Sequence, residues 1–193
     1  MRCPILLATV ALLATSALPA AAAVLPIADL DLRLGAGLRG RDVAITSGGI
    51  EDEGEWDRSG RYFAEALLAP FPGALGRLLA GIKAVADRSE GDGTDYEVLG
   101  LQAEVGYGLT VIPFLRIELL PYIGIGRATL DDGVEADDAS SLEYGANLNA
   151  VLTSGGGFQI GAGVGWARSQ SEHGLADVDQ SGPVGAVFVG YRL

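Results

Sequence analysis

The sequence predicts an all-β chain that folds as an eight-stranded antiparallel up-and-down transmembrane β-barrel, preceded by a cleaved signal peptide. Two observations support this prediction. Eight segments of about 10 to 16 residues alternate apolar with small or polar side chains, as strands with two different faces do. The connections between them alternate as well, short ones with long acidic ones. This combination is typical of barrels in the bacterial outer membrane, where short turns face the periplasm and longer loops face outward.

The first 23 residues predict a secretory signal peptide. Arg2 supplies a positive charge, residues 5–18 are apolar, and a run of alanines ending at Ala23 offers a cleavage site. The barrel domain is therefore expected to span residues 24–193. The only cysteine, Cys3, lies in the leader, so the mature chain is expected to have no disulfide, thiolate metal site or cysteine nucleophile.

Composition narrows the range of functions. The chain has 29 glycines and a formal net charge of −12, which disfavours nucleic-acid binding. After the leader, no segment approaches the roughly 18 continuous apolar residues that a membrane-spanning helix needs. No cofactor is expected.

The predicted strands each present one apolar and one polar face. In the first, Leu30, Leu32 and Leu34 alternate with Asp31 and Arg33. The approximate bounds are 28–39, 59–69, 75–87, 96–110, 114–130, 142–152, 158–168 and 183–193.

The polar faces are expected to line the lumen, because a membrane barrel turns its apolar faces to lipid. The predicted lumen ion-pair network comprises Asp31, Arg33, Arg61, Glu65, Lys83, Glu104, Arg116, Glu118 and Glu143, with Arg77 and Arg192 as further candidates. Eight strands enclose a space just wide enough for side chains or one small ligand. A plug of paired charges is therefore favoured over an ion path, which remains the alternative.

The aromatic residues of the apolar faces fall at two heights, as expected for belts at the two membrane interfaces. The predicted lower belt contains Tyr107, Phe158 and Tyr191, and the predicted upper belt contains Tyr62, Tyr144 and Trp166. A soluble barrel with the apolar faces inward is the alternative.

The connections differ in length and charge. Residues 70–74, 111–113 and 153–157 are predicted periplasmic turns, and residues 40–58, 88–95, 131–141 and 169–182 are predicted outer loops. Together with Asp87, which is grouped with the second outer loop, these loops hold 18 of the 25 acidic residues. Their spacing does not match a calcium-binding loop, so no defined metal site is expected. Divalent cations remain possible partners, through which the loops would be tied to lipopolysaccharide.

Two segments resemble a known group. Residues 120–126, LPYIGIG, and residues 187–193, VFVGYRL, are similar to segments of the small eight-stranded outer-membrane β-barrel superfamily, which includes the OmpA transmembrane domain and the OmpX, OmpW and Ail-like proteins. The resemblance implies that Val187, Val189, Tyr191 and Leu193 form a C-terminal assembly signal. It also implies the outer membrane as the location, outer-membrane lipid and lipopolysaccharide as surroundings, and the barrel-assembly machinery as a partner during insertion.

The favoured function is a structural or surface-interaction role without catalysis. The alternatives are a narrow channel for small solutes or apolar molecules, and a lipid-A-modifying enzyme centred on His173. His173 is expected to be exposed in the last outer loop, where its neighbour Ser171 alone does not establish a nucleophile with a positioned base.

Trp56, in the first acidic loop, is expected at the membrane interface or on a partner. Gly155 to Gly157 predict a tight hairpin turn and no phosphate cradle, since no helix follows them.

Overall fold

A computed structural model describes residues 29–40, 42–47, 49–72, 76–91, 94–131, 136–174 and 176–193. The predicted signal peptide and its cleavage site lie outside these residues. The strands are β1 (Asp29–Arg39), β2 (Asp42–Ser47), β3 (Ile50–Glu55), β4 (Arg58–Pro72), β5 (Gly76–Gly91), β6 (Thr94–Ile112), β7 (Leu115–Asp131), β8 (Ala136–Thr153), β9 (Phe158–Glu172) and β10 (Asp177–Arg192). No helix among the described residues is long and apolar enough to cross a membrane.

Eight of these strands close into a ring. Strands β4 to β10 follow one another around the sheet, β1 pairs with β4, and β1 also pairs with β10 from Asp31–Arg192 to Arg39–Val184. Every pairing is antiparallel. The predicted eight-stranded up-and-down barrel is confirmed.

Alternate residues of each strand point to opposite sides of the wall. On β1, Leu38 is 72% exposed on the outer surface, whereas Arg33 is buried inside. The outer surface exposes large apolar side chains on the ring strands, among them Leu101, Ile125 and Val164. The soluble alternative, which needed these faces to turn inward, is wrong, because an exposed apolar band of this kind is stable only in lipid.

The predicted outer loops are largely strands, which is a correction to the sequence analysis. In place of the first loop, β2 and β3 form a hairpin, and β2 pairs with residues 177–181 of β10 above the end of β1. The β5–β6, β7–β8 and β9–β10 ladders also continue well past the apolar band. An antiparallel ladder satisfies its backbone groups wherever a partner strand continues, so polar segments in water extend it too.

The short connections lie at the opposite end. The β8–β9 turn closes with a hydrogen bond from the Gly157 amide to the Ser154 carbonyl, at 3.0 Å. Gly157 has φ of +88°, a backbone conformation that glycine adopts without strain. The predicted tight turn at this triglycine segment is confirmed.

Candidate functional site

The lumen contains charged side chains from most strands of the ring. All nine residues of the predicted network point inward and are buried. They form two groups at different heights, which we name by the orientation predicted from the sequence. The periplasmic group lies toward the short turns, and the extracellular group lies toward the β2–β3 hairpin. The periplasmic group contains Asp31, Arg33, Glu65, Lys83, Glu104, Arg116, Glu118 and Arg192.

Arg33 lies at the centre of the periplasmic group. Its Nη1 and Nη2 donate to the two carboxylate oxygens of Glu118, both at 2.7 Å, across the lumen from β1 to β7. Nη1 also donates to Glu65, the cross-strand neighbour of Arg33 on β4, at 3.0 Å. A bidentate guanidinium–carboxylate pair is among the strongest charge-assisted arrangements in proteins. This pair joins opposite walls of the barrel.

The remaining members extend the periplasmic group around the wall. Lys83 contacts Glu65 at 2.8 Å and also contacts Glu104. Asp31 accepts hydrogen bonds from Arg33, Arg116 and Arg192. The group therefore holds four basic and four acidic side chains, and each of them contacts an opposite charge.

Above this group two aromatic rings meet inside the lumen, and we call this ring pair the constriction. Phe63 and Phe188 meet edge to face with centroids 6.3 Å apart. Arg33 lies 5.0 Å from the Phe188 centroid, and Lys83 lies 5.1 Å from that of Phe63. A cavity of about 30 Å³ beside the rings has room for a single water molecule. The constriction thus combines two cation–π contacts with very little free space.

The extracellular ion-pair group consists of Arg39, Arg61, Asp87 and Glu143. Arg61 donates to Asp87 at 2.7 Å and to Glu143 at 2.6 Å, and Arg39 contacts the same two carboxylates. The Tyr122 hydroxyl also donates to Glu143, at 2.9 Å. The network predicted from the sequence lacks Arg39, and the sequence groups Asp87 with the second outer loop. The strict alternation of β5 continues through Asp87, and that signal would have identified it.

A layer of buried hydroxyls and an apolar cap lie above the extracellular group. Gln180 donates to Ser89 at 3.1 Å and to the Gly40 carbonyl at 2.9 Å, and Ser59 lies 2.9 Å from Ser89. The apolar cap, which we call the aromatic cap after its stacked rings, is the buried cluster of Val43, Trp56, Tyr96, Val98, Ala128 and Val178. Trp56 is only 3% exposed, so its expected place at the membrane interface or on a partner is wrong. The indole follows the β2–β3 hairpin and packs inside with Val43 of β2.

His173 lies beside this cap and is 7% exposed. Its expected exposure in a loop is wrong, because β9 continues to Glu172 and carries the ring to the rim of the lumen. Nε2 lies 3.0 Å from Ser171 Oγ, which lies 3.0 Å from the Tyr96 hydroxyl. Nδ1 faces a carboxylate oxygen of Asp137 at 4.0 Å. The sequence alone could not have brought Asp137, from β8, to this histidine.

The residues of both predicted aromatic belts lie on the outer surface of the barrel. Phe158 and Tyr191 are cross-strand neighbours at the end with the short turns, and Tyr107 lies on the outer face near the same end. Tyr62, Tyr144 and Trp166 lie on the outer face toward the hairpin end. Val187, Val189 and Leu193 of the predicted assembly signal also face outward. Exposed apolar side chains lie between the two sets.

Known structures share this fold. No protein-family model matches the chain, and no curated protein matches it. The crystal structure of Neisserial surface protein A is similar, with 14% identity, 85% of this chain and 96% of that chain covered, and a TM-score of 0.52. Ail, the attachment invasion locus protein of Yersinia pestis, is 15% identical, with 86% and 98% covered and a TM-score of 0.45. The Escherichia coli outer membrane protease OmpT is 7% identical, with 86% and 97% covered and a TM-score of 0.47.

The chain has the fold of outer-membrane β-barrels. Its eight-stranded ring, its exposed apolar band and its likeness to Neisserial surface protein A agree on this point. This confirms the fold that the resemblance to the small outer-membrane barrels implies, and it assigns no subfamily.

The barrel also carries outward arginines beyond the upper belt. Arg168 lies two residues beyond Trp166 on β9, and its Nε donates to Asp179 at 3.0 Å. This hydrogen bond holds the pKa of the Asp179 carboxyl below its ordinary value of 3.8. Arg127 pairs with Asp138 in the same way, and Arg88 contacts Asp95 at 2.9 Å. Each of these guanidiniums is at the surface, where a headgroup could reach it.

No group of three or more potential metal-ligating histidine, cysteine, aspartate or glutamate side chains occurs among the described residues.

Proposed function

We propose that this protein is a small integral outer-membrane barrel with a structural or surface-interaction role, a lumen closed by ion pairs and an acidic outer face. One observation supports this most strongly: within the described lumen, six acidic and six basic side chains each contact an opposite charge. These are Asp31, Glu65, Asp87, Glu104, Glu118 and Glu143, with Arg33, Arg39, Arg61, Lys83, Arg116 and Arg192.

The charge balance favours a plug over the alternative of a narrow channel. Separating a buried pair leaves a charge without compensation, at a cost of about 3–5 kcal/mol. A permeating ion would have to separate several pairs, and then pass the Phe63–Phe188 constriction and the aromatic cap. We expect no discrete conductance steps from the purified protein in planar bilayers. Reproducible steps that change size after Arg33→Ala would establish the channel instead.

Outer-leaflet lipopolysaccharide is the partner that we propose for the outer surface. Arg88, Arg127 and Arg168 present guanidiniums beyond the upper belt, and guanidiniums suit phosphate groups. The exposed acidic side chains around them suit divalent cations that bridge to the same phosphates. We expect detergent-solubilised protein to bind lipopolysaccharide, and the triple Arg→Gln variant at these positions to bind it less. Equal binding by both proteins would reject this partner.

Insertion by the barrel-assembly machinery is proposed from the closing strand. Val187, Val189 and Tyr191 project from one face of β10, the strand that closes the ring onto β1. We expect Tyr191→Ser to lower the fraction of heat-modifiable protein in outer membranes. Tyr107→Ser serves as the control, because Tyr107 belongs to the same belt but lies on β6, which is not the closing strand. Equal losses in both variants would indicate a belt effect without an assembly signal.

The role proposed above requires no catalysis, but one observation supports an enzyme as a second candidate. Ser171 Oγ and His173 Nε2 are 3.0 Å apart, and the other ring nitrogen faces Asp137. A nucleophile, a base and an orienting carboxylate are the parts of a serine hydrolase site. A fluorophosphonate probe tests it: labelling that is lost in Ser171→Ala and kept in Ser169→Ala would support a hydrolase. An unlabelled protein, together with an unchanged lipid-A profile after His173→Ala, would end it.

A further inference from the structure

A recess of about 680 Å³ opens at the end of the barrel with the short turns. Its wall is formed by the β6–β7 turn, the β8–β9 turn and the end of β10. In bacterial outer-membrane barrels this end faces the periplasm. The recess is separate from the aromatic cap and from the outward arginines, which lie at the other end.

The lining of this recess is cationic in an acidic protein. It contains Arg77, Arg116 and Arg192 and no aspartate or glutamate side chain. The chain as a whole carries a formal net charge of −12. The lining thus presents guanidiniums, while their carboxylate partners Asp29, Asp31 and Glu118 lie outside it. An anion is the ligand that guanidiniums bind.

Two of these arginines retain donors for a ligand. Arg192 uses Nε and Nη2 on Asp31, and Arg77 uses Nη1 on Asp29. A guanidinium has five N–H donors, so each has nitrogens left over. The side chains of Arg77 and Arg192 line the recess and are 17% and 21% exposed. The side chain of Arg116 is only 5% exposed and contacts Asp31 and Glu118.

The triglycine turn forms part of the same wall. The amides of Ser154, Gly157 and Phe158 are used within the turn. A Cβ added at Gly155 would meet nothing within 4 Å, and one at Gly156 would meet only Ser154 Oγ, at 4.0 Å. Space for a ligand therefore lies directly beside these two backbone positions. Successive turn amides with arginines nearby can hold an oxyanion without a helix terminus.

The rim of the recess is apolar. Phe114, Leu115 and Leu193 line it, and Phe114 and Leu193 are among the exposed apolar side chains of the barrel. Cationic groups within and apolar side chains at the edge match the two parts of a lipid, its headgroup and the start of its acyl chains. Basic pockets at membrane interfaces bind anionic lipid headgroups in this way.

We propose that this recess binds the headgroup phosphate of an anionic phospholipid from the periplasmic leaflet, with Arg77 and Arg192 as direct donors. The site fixes the height of the barrel at its lower rim, next to Phe158 and Tyr191. It shares Arg116 and Arg192 with the lumen plug and is independent of any outer partner.

The test uses the full mature chain in detergent micelles and follows backbone amides by NMR. Dihexanoyl-phosphatidylglycerol is titrated in, and we expect saturable shifts at Gly155 and Gly156. In Arg77→Gln/Arg192→Gln we expect binding to weaken by at least about tenfold, as loss of charge-assisted hydrogen bonds predicts. Arg88→Gln/Arg168→Gln, which changes two surface arginines at the other end, should bind as the unaltered protein does.

Three results would overturn the proposal. These are the absence of saturable shifts, equal affinity for zwitterionic dihexanoyl-phosphatidylcholine, and equal affinity for inorganic phosphate, which would identify a site for free oxyanions. Arg192→Gln leaves Asp31 with one partner fewer and could perturb folding. Arg77→Gln alone breaks only the contact with the partly exposed Asp29, so it must weaken binding in a protein whose remaining spectrum is unchanged.

Discussion

Trp56 stacks on Tyr96 with ring centroids 5.9 Å apart and ring planes only 5° from parallel. Trp56 lies at the junction of β3 and β4, and Tyr96 lies on the inner face of β6. The stack therefore fastens the β2–β3 hairpin to the far wall of the barrel. It also closes the lumen above the extracellular ion-pair group, since Val43 and Val178 pack in the same cluster.

The first prediction concerns this stack. Trp56→Ala should destabilise the protein by about 3–5 kcal/mol, the usual cost of removing a large buried aromatic side chain. The loss should be concentrated in the β2–β3 hairpin, whose amides should exchange faster with solvent. Guanidinium unfolding in detergent and hydrogen exchange measure the two effects. Trp166→Ala is the control, because the Trp166 ring lies on the outer surface, where detergent replaces its contacts. A similar loss of stability in both variants would show that the Trp56–Tyr96 stack does not hold the hairpin.

The second prediction concerns the plug. Glu118→Gln removes the charge that Arg33 and Arg116 share, and both are buried, so stability should fall by about 3–5 kcal/mol. Glu97→Gln makes the same chemical change on the outer surface, where Glu97 contacts Arg88 at 3.4 Å. That exposed pair should contribute about 0–1 kcal/mol. Equal midpoints for the two variants in guanidinium unfolding would show that the lumen pairs do not stabilise the barrel.

Much of this plug follows from the sequence. Alternation with a period of two assigns Arg33 and Glu65 to the lumen, since the apolar residues on either side of each of them must face lipid. The order of strands in an up-and-down barrel makes β1 and β4 neighbours, so a pair between these residues is a natural expectation. The bidentate contact from Arg33 to Glu118 is different. It crosses the lumen from β1 to β7, and its existence depends on strand register and barrel stagger, which no local pattern encodes.

The structure differs from the sequence-based predictions mainly at the extracellular end. The sequence predicts loops at Trp56 and His173 because the apolar alternation ends before them, whereas at Asp87 the alternation continues. Outside the bilayer a strand no longer needs a lipid-facing apolar residue at every second position, so the pattern fades while the hydrogen-bond ladder continues. The side chains that close the lumen lie in this part of the chain, which is why the cap was not foreseen.

The third prediction concerns close packing of the wall. A Cβ at Gly106 would lie 1.9 Å from the Leu119 carbonyl oxygen on the neighbouring strand, so the backbone itself must shift to admit it. We expect Gly106→Ala to destabilise the barrel by about 1–3 kcal/mol, as overpacking does. Gly60→Ala is the matched control, because its Cβ would meet only the Gly37 carbonyl oxygen, at 4.0 Å. If Gly60→Ala is the more destabilising of the two in guanidinium unfolding, the packing described for β6 and β7 is incorrect.

The fourth prediction concerns the pH dependence of the outer end of the β9–β10 hairpin. Arg168 and Gln170 both donate to Asp179, and the hydrogen bond from Arg168 in particular holds the pKa of that carboxyl below its ordinary value of 3.8. A carboxyl whose pKa is lower in the folded protein stabilises it above the unfolded pKa, and this stabilisation is lost as the pH falls through the folded value. Amides near Val178 should therefore lose protection between about pH 5 and pH 2, after correction for intrinsic exchange rates. Amides near Tyr191, at the other end of β10, should keep their protection over the same pH range.

In Arg168→Gln the protection near Val178 should be lower already at about pH 6 and should change less on acidification. An undiminished pH dependence in that variant would assign the effect to another carboxyl.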